Sequence, residues 1–272
     1  MKKIKHYFKR LYEIIMTPSM SYLPGNLAFF LVLSIFPILT LIGVIASRFS
    51  LDITSIIDIS ELALPSNISE MILSFIQGKG FDTNIGIFMI IGFFLASNGA
   101  DAIILASNNL YGFPNSDYLR RRIKAMFIIV LIILLFIFML GFLAFGNHIL
   151  NLILSYIKDK TLVDLIYNLF IILKWPFALF VIFFNVKLIY TIAPDWKIMS
   201  KHTTRGAIFT TVGWIFVIQI YSFWVNHFSN YDLFYGSLSN IVILMLMIYI
   251  ISYVLVIGIA INVKSYEYKI DD

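Results

Sequence analysis

Residues Ile85 to Asn109 read IGIFMIIGFFLASNGADAIILASNN, a run with one carboxylate and no cation. As a helix rising 1.5 Å per residue it is about 37 Å long, enough to cross a hydrocarbon layer of roughly 30 Å. The run is too long and unbroken for the two-residue alternation of an outer-membrane barrel strand. The same pattern recurs along the chain. Of 272 residues, 60% are hydrophobic and 13% charged, 26 are Phe, and the mean hydropathy is +0.92. A water-soluble surface needs far more charge than this. The length alone would predict two soluble domains, but recurring apolar runs of ~20 residues override it.

Six spans follow, at 26–47, 85–109, 124–147, 165–192, 206–227 and 237–263. The expectation is a single integral membrane domain over 1–272, an all-α polytopic protein built as a six-transmembrane-helix bundle. The first run starts well inside the chain, contains Pro37 and has no small-residue cleavage site after it, so it reads as a retained span rather than a signal peptide. Cations are retained on the cytoplasmic side of short loops. Lys2, Lys3, Lys5, Lys9 and Arg10 precede the first span, Arg120, Arg121, Arg122 and Lys124 sit in the second loop, Lys197, Lys201 and Arg205 in the fourth, and Lys264 and Lys269 after the last. The alternate loops hold only Arg48, Lys79, Lys158 and Lys160. Both termini are therefore placed in the cytoplasm.

This asymmetry accounts for the formal net charge of +5 and the pI near 9.2, so nucleic acid gains no support as a partner. The lipid bilayer is the expected partner, with Arg120, Arg121, Arg122 and Arg205 as candidate contacts for anionic headgroups. Two segments outside the spans have amphipathic helical spacing. One is N-terminal, through Ile4, Phe8, Leu11 and Ile15. The other is in the long first external loop, from about Arg48 to Asn84, where Asn67 and Glu70 form a capping box.

Enzyme chemistry has little to work with. Cysteine is absent, and His6, His148, His202 and His227 lack metal-ligand spacing. No phosphate loop, nucleophile elbow or metalloprotease motif is present. No catalytic residue, metal or cofactor is assigned, and the chain reads as a non-enzyme.

Polar residues inside spans are costly in hydrocarbon unless they face protein or water. Asn98, Asp101, Leu105 and Asn108 follow i, i+3, i+7, i+10 and share one helix face with small residues around it. That face looks inward, onto either a water-filled cavity or a close helix contact bridged by amides. Asn109 and, in the fourth span, Asn185 join the candidate lining. Asp101 lies ~12 Å from the inner end of its span and Lys187 ~8 Å from the inner end of the fourth, which pairs them as ions at similar depth. Such a pair either locks two helices or serves binding or proton coupling. Pro37 and Pro176 occupy corresponding places in the first helix of each three-helix half, as expected of inverted repeats with helix breaks near a transport site. Trp196, Tyr221, Trp224, Tyr231 and Tyr235 read as interfacial anchors. Small residues such as Gly86, Gly92 and Ala96 suit packing within one subunit or in a homo-oligomer.

Together, Asn26-Leu27-Ala28-Phe29-Phe30, Ser34-Ile35-Phe36-Pro37, Ala106 to Gly112, Arg120-Arg121-Arg122, Tyr190 before Pro194, Arg205-Gly206-Ala207, Gly213-Trp214, Tyr221, Tyr235 to Leu238, Tyr249 and Gly258 to Asn262 resemble the YihY/BrkB family of bacterial inner-membrane proteins. The resemblance runs from about residue 10 to 265. Met247 stands where the family usually has an aromatic, and Ala260 where it has an acidic residue. The resemblance implies a multi-pass protein of the bacterial cytoplasmic membrane, in a family that has carried a virulence-factor label and a ribonuclease BN label regarded as misassigned. Two functions follow as expectations. One is a transporter or flippase-like translocator of a lipid or amphipathic solute. The other is a structural or partner-binding protein supporting the envelope.

Overall fold

A computed structural model describes residues 9, 12–13, 16–48, 85–156, 159–228 and 235–267. The amphipathic N-terminal segment, the first external loop with its capping box, and Tyr231 lie outside the described residues. Among those described, every regular element is helical. They are α1 (Ser19–Arg48), α2 (Ile85–Tyr111), α3 (Tyr118–Leu154), α4 (Lys160–Ile192), α5 (Ser200–Phe228), a single 3₁₀ turn (Gly236–Leu238) and α6 (Ser239–Glu267). Each of the six expected spans corresponds to one helix, the last beginning in the 3₁₀ turn. The helices overrun the spans, most of all α3, because helical hydrogen bonding continues past the apolar run into its polar flanks.

Local chemistry explains the helix ends. Asp159 caps α4, its carboxylate accepting from the backbone N–H of Thr161 at 2.9 Å. At the end of α2, Gly112 adopts φ 67°, while the N–H groups of Phe113 and Gly112 donate to the carbonyls of Asn108 (2.9 Å) and Asn109 (3.2 Å). This double closure needs a left-handed residue, which glycine supplies without steric cost, and Pro114 then prevents the helix from resuming.

Among the described residues three helices are long and apolar enough to cross a membrane, within Thr161–Ile192, Ser200–His227 and Ser239–Lys264, and the Ser19–Ser34 part of α1 is a shorter apolar stretch. Over these spans α6 is 56% buried, against 17% for α4 and 22% for α5. α6 is therefore central. It packs on α5 and α1, while α2 packs on α1, α3 and α6, and α4 chiefly on α5 and α3. The outward-facing Leu, Ile and Phe side chains of α4, including Leu169, Ile172 and Phe180, suit hydrocarbon rather than water.

Small residues set the closest approaches. A Cβ on Gly99 would lie 2.9 Å from Ser34 Oγ and 3.1 Å from Leu31 Cδ2, so α1 and α2 meet where α2 has no side chain. Pro37 and Pro176 lie within α1 and α4 without interrupting either helix, contrary to the expected helix breaks. Tyr221 is also not a surface anchor. It is 6% exposed and its hydroxyl donates to the carbonyl of Ile243 at 2.8 Å.

Candidate functional site

On the polar face of α2, Asn108 is buried while Asn98, Asp101 and Leu105 are partly buried, and the partners of Asn98 and Asp101 come from the adjoining hairpin. Asp101 accepts from Arg121 Nε at 2.7 Å, with both side chains largely shielded. It does not meet Lys187. That side chain sits half-buried with its ammonium 5.9 Å from the Phe183 ring centre, on a helix that packs chiefly against α3 and α5. Matching depths along two parallel axes missed the neighbour, because the start of α3 runs back alongside α2.

Arg122 goes further into the bundle and is 5% exposed. Its Nη1 donates to Asn98 Oδ1 at 2.5 Å and its Nη2 to the Phe94 carbonyl at 2.6 Å, with the guanidinium 3.7 Å from the Phe94 ring centre. Phe94 precedes Tyr111, the last residue of α2, by 17 positions, about 25 Å of helix. Every one of these partners is neutral. Burying an ion costs several kcal/mol unless an opposite charge compensates it. Since Asp101 neutralises Arg121, the cluster of two guanidiniums and one carboxylate carries a net charge of +1.

A second group closes the C-terminal end of α2 on the start of α3 and the end of α4. Asn108 is fully buried, and its Nδ2 donates to Asp195 Oδ2 (2.7 Å) and Asn115 Oδ1 (3.0 Å) while its Oδ1 accepts from the Asp195 N–H (2.8 Å). Asp195 also accepts from the Ser116 N–H (2.9 Å) and from Lys124 Nζ (2.9 Å). Lys124 donates again to the carbonyls of Ala193 (2.8 Å), the C-cap of α4, and Pro194 (2.7 Å), which places a cation at the C-terminal end of that helix. Burial pushes the Asp195 carboxyl up, but the hydrogen bonds from Ser116, Lys124 and Asn108 outweigh it and hold the pKa down at about 2.

A third group is neutral and joins α4, α5 and α6. Tyr190, 2% exposed, donates its hydroxyl to the Leu255 carbonyl (2.8 Å) and shares a 2.6 Å hydrogen bond with Thr210 Oγ1. The Gly206 N–H donates to Asn262 Oδ1 at 2.7 Å. Added methyl groups would collide at both glycines, that of Gly206 with the Gly258 carbonyl and Asn262, that of Gly258 with Thr210 and Tyr190. Helices cross this closely only where a Cβ is missing.

The remaining candidates are spread out. Asn109 is exposed and ties α2 to the start of α1, its Nδ2 donating to the Tyr22 hydroxyl (3.1 Å) and its Oδ1 accepting from Ser19 (3.0 Å). Asn185 is half-buried on α4, Pro176 is exposed, and Arg120 and Arg205 are exposed. Nothing in the sequence marks Lys124, Asp195, Asn115 and Ser116 as site residues, since each sits in or beside a loop where polarity is ordinary. An apolar hollow of about 380 Å³ between α5 and α6, lined by Val217, Ile220, Tyr221, Trp224, Leu246 and Ile250, is separate from all of these charges. Among the described residues no three His, Asp or Glu side chains converge to hold a metal ion.

Apolar spanning helices with charged side chains folded into the bundle define a helical membrane protein. Over residues 14–271 the chain matches the family model described as Virulence factor BrkB, and it belongs to that family. It is 26% identical over 249 residues to YfkH, a Bacillus subtilis protein named as ribonuclease-like, covering 90% of each chain. A UPF0761 membrane protein of Haemophilus influenzae is 32% identical over 75 residues, 28% of each chain. One of Vibrio campbellii is 31% identical over 105 residues, 39% of this chain and 32% of the other. No solved structure matches.

Proposed function

We propose that this is a six-span, multi-pass protein of the bacterial cytoplasmic membrane, with both termini in the cytoplasm, that translocates a lipid or amphipathic solute without catalysing a reaction. The observation that carries this reading is the buried charge between α2 and α3. Arg122 is buried in the bundle and bonded to Asn98, with the largely shielded Arg121–Asp101 pair on the same helix face and outward-facing Phe94 and Ile91 beside them. Intramembrane ionisable groups are functional by default, because a purely structural contact can be made far more cheaply from apolar residues. The cation asymmetry of the loops supports the orientation, and the lengths of α1, α2 and α3 support three spans besides those of α4, α5 and α6.

The test is protein-dependent transbilayer movement of labelled anionic and neutral lipids in proteoliposomes, with empty liposomes as reference. Movement above that reference is expected, with loss on Asp101→Asn at equal incorporation. No movement for any lipid class, with or without a proton gradient, would contradict the reading. The absence of cysteine makes single-cysteine labelling at Lys3, Ser66, Asn115, Lys158, Lys201 and Lys269 a direct topology map. Cytoplasmic labelling at Lys3, Asn115, Lys201 and Lys269 with external labelling at Ser66 and Lys158 is expected.

A second reading, a structural or partner-binding role in the envelope, is favoured by how fully α2 is tied down. Asp101, Asn98, Asn108 and Asn109 all bond within the chain. That reading predicts a mutant phenotype of lost partner association with no lipid movement.

A further inference from the structure

We infer that the α2–α3 cluster is a lateral binding site for an anionic lipid, with Arg122 as the residue that recognises its phosphate. This rests on the lipid-handling reading above, but it concerns binding and is tested by binding alone. The cluster carries one more guanidinium than carboxylate, and the uncompensated one is the more deeply buried. Arg122 has five N–H donors, of which Asn98 and the Phe94 carbonyl take two, and its Nε is buried without a partner. A phosphate oxygen supplies both the missing charge and the missing acceptors, in the planar fork geometry that guanidinium favours.

The surroundings fit a lipid rather than a free anion. Phe94 on α2, whose ring lies 3.7 Å from the Arg122 guanidinium, is 44% exposed and Ile91, one turn further along the same face, 51%. These two offer an apolar surface for an acyl chain next to the guanidinium. Asp101 is already held by Arg121, so it repels the headgroup less than a free carboxylate would. Arg121 itself lies at the rim with 16% of its side chain exposed, placed to guide the headgroup inward. Arg120 and Arg205, exposed at the surface, contribute long-range attraction only.

The test uses the full chain purified in dodecyl maltoside, with phosphatidylglycerol or phosphatidylcholine added at equal mole fraction, or inorganic phosphate alone. Lipid retained through gel filtration and the thermal unfolding midpoint are both read. Wild type should retain phosphatidylglycerol over phosphatidylcholine by about fivefold, the preference that one basic residue confers near an anionic surface. Asn98→Asp places a carboxylate against Arg122. It should unfold at a higher temperature than wild type without lipid, and its preference should fall to parity. Arg122→Gln should lose the preference as well. Equal retention of the two lipids by wild type, or a preference that survives in Asn98→Asp, overturns the site. A midpoint shift of the same size from inorganic phosphate alone overturns the lipid as its occupant. Should transbilayer movement fail while the preference and its loss in Asn98→Asp hold, the translocation reading falls and this site stands.

Discussion

Two buried polar regions of this molecule contrast. Where α4, α5 and α6 cross, Tyr190, Thr210, Gly206 and Asn262 bond to one another and to backbone carbonyls without any formal charge. Between α2 and α3, two guanidiniums face one carboxylate, and the more deeply buried cation has only neutral acceptors. The first arrangement leaves Asn262 Nδ2 buried without a partner, but it holds no ion to compensate, and the close helix crossing explains it. The second keeps an uncompensated charge in an apolar setting, a cost that packing does not require. The difference is what supports the proposed ligand recognition between α2 and α3 and a packing role for the crossing.

The largest effect should come from closing the gap that the glycines leave. Gly206→Ala and Gly258→Ala each put a methyl group into backbone or packed side chains. Each should lower stability by about 3–5 kcal/mol, the upper end for point mutants. Thermal unfolding in detergent and membrane expression level would check this, and near-wild-type midpoints would mean that the crossing is looser than described.

Next is the ion pair. Asp101→Asn and Arg121→Gln should each cost about 1–3 kcal/mol, while the double mutant costs less than their sum. Lys187→Met should show no coupling to Asp101. Coupling to Lys187 instead of Arg121 would restore the pairing that depth alone predicted.

Tyr190→Phe removes one hydroxyl from the neutral region and should cost about 1–2 kcal/mol, read as a lower unfolding midpoint, with activity per folded molecule retained. The smallest effect is at Asp195. Its pKa is about 2 against an ordinary 3.8, so the stability it contributes is fully present above about pH 4 and lost as the pH falls toward 2. Asp195→Asn should flatten the acid loss of stability over that window, and an unchanged acid profile would show that its hydrogen bonds contribute nothing measurable.

Most of the helical architecture was legible in the apolar runs, because a span has to satisfy its backbone internally and present apolar side chains to lipid. The inward face of α2 was legible for the same reason, since Asn98, Asp101 and Asn108 share one side of a helix that is otherwise apolar. Their partners were not. Periodicity reports which face of a helix is buried but not against which helix, and Arg121, Arg122 and Lys124 read as loop cations until the start of α3 is seen folded back along α2. Family resemblance had singled out Tyr190, Gly206, Gly258 and Asn262 without a reason, and the close α5–α6 crossing supplies one. Ala260, where the family has an acidic residue, is buried at 3% in α6, so in this chain an apolar side chain fills that place.

The contrast is tested most directly by comparing Arg122→Gln with Tyr190→Phe in proteoliposomes, at equal incorporation and verified folding, for transbilayer movement of a labelled phosphatidylglycerol. The account predicts that Arg122→Gln abolishes movement while Tyr190→Phe moves lipid as wild type does per folded molecule. Movement undiminished in Arg122→Gln, or lost equally in both, would contradict it.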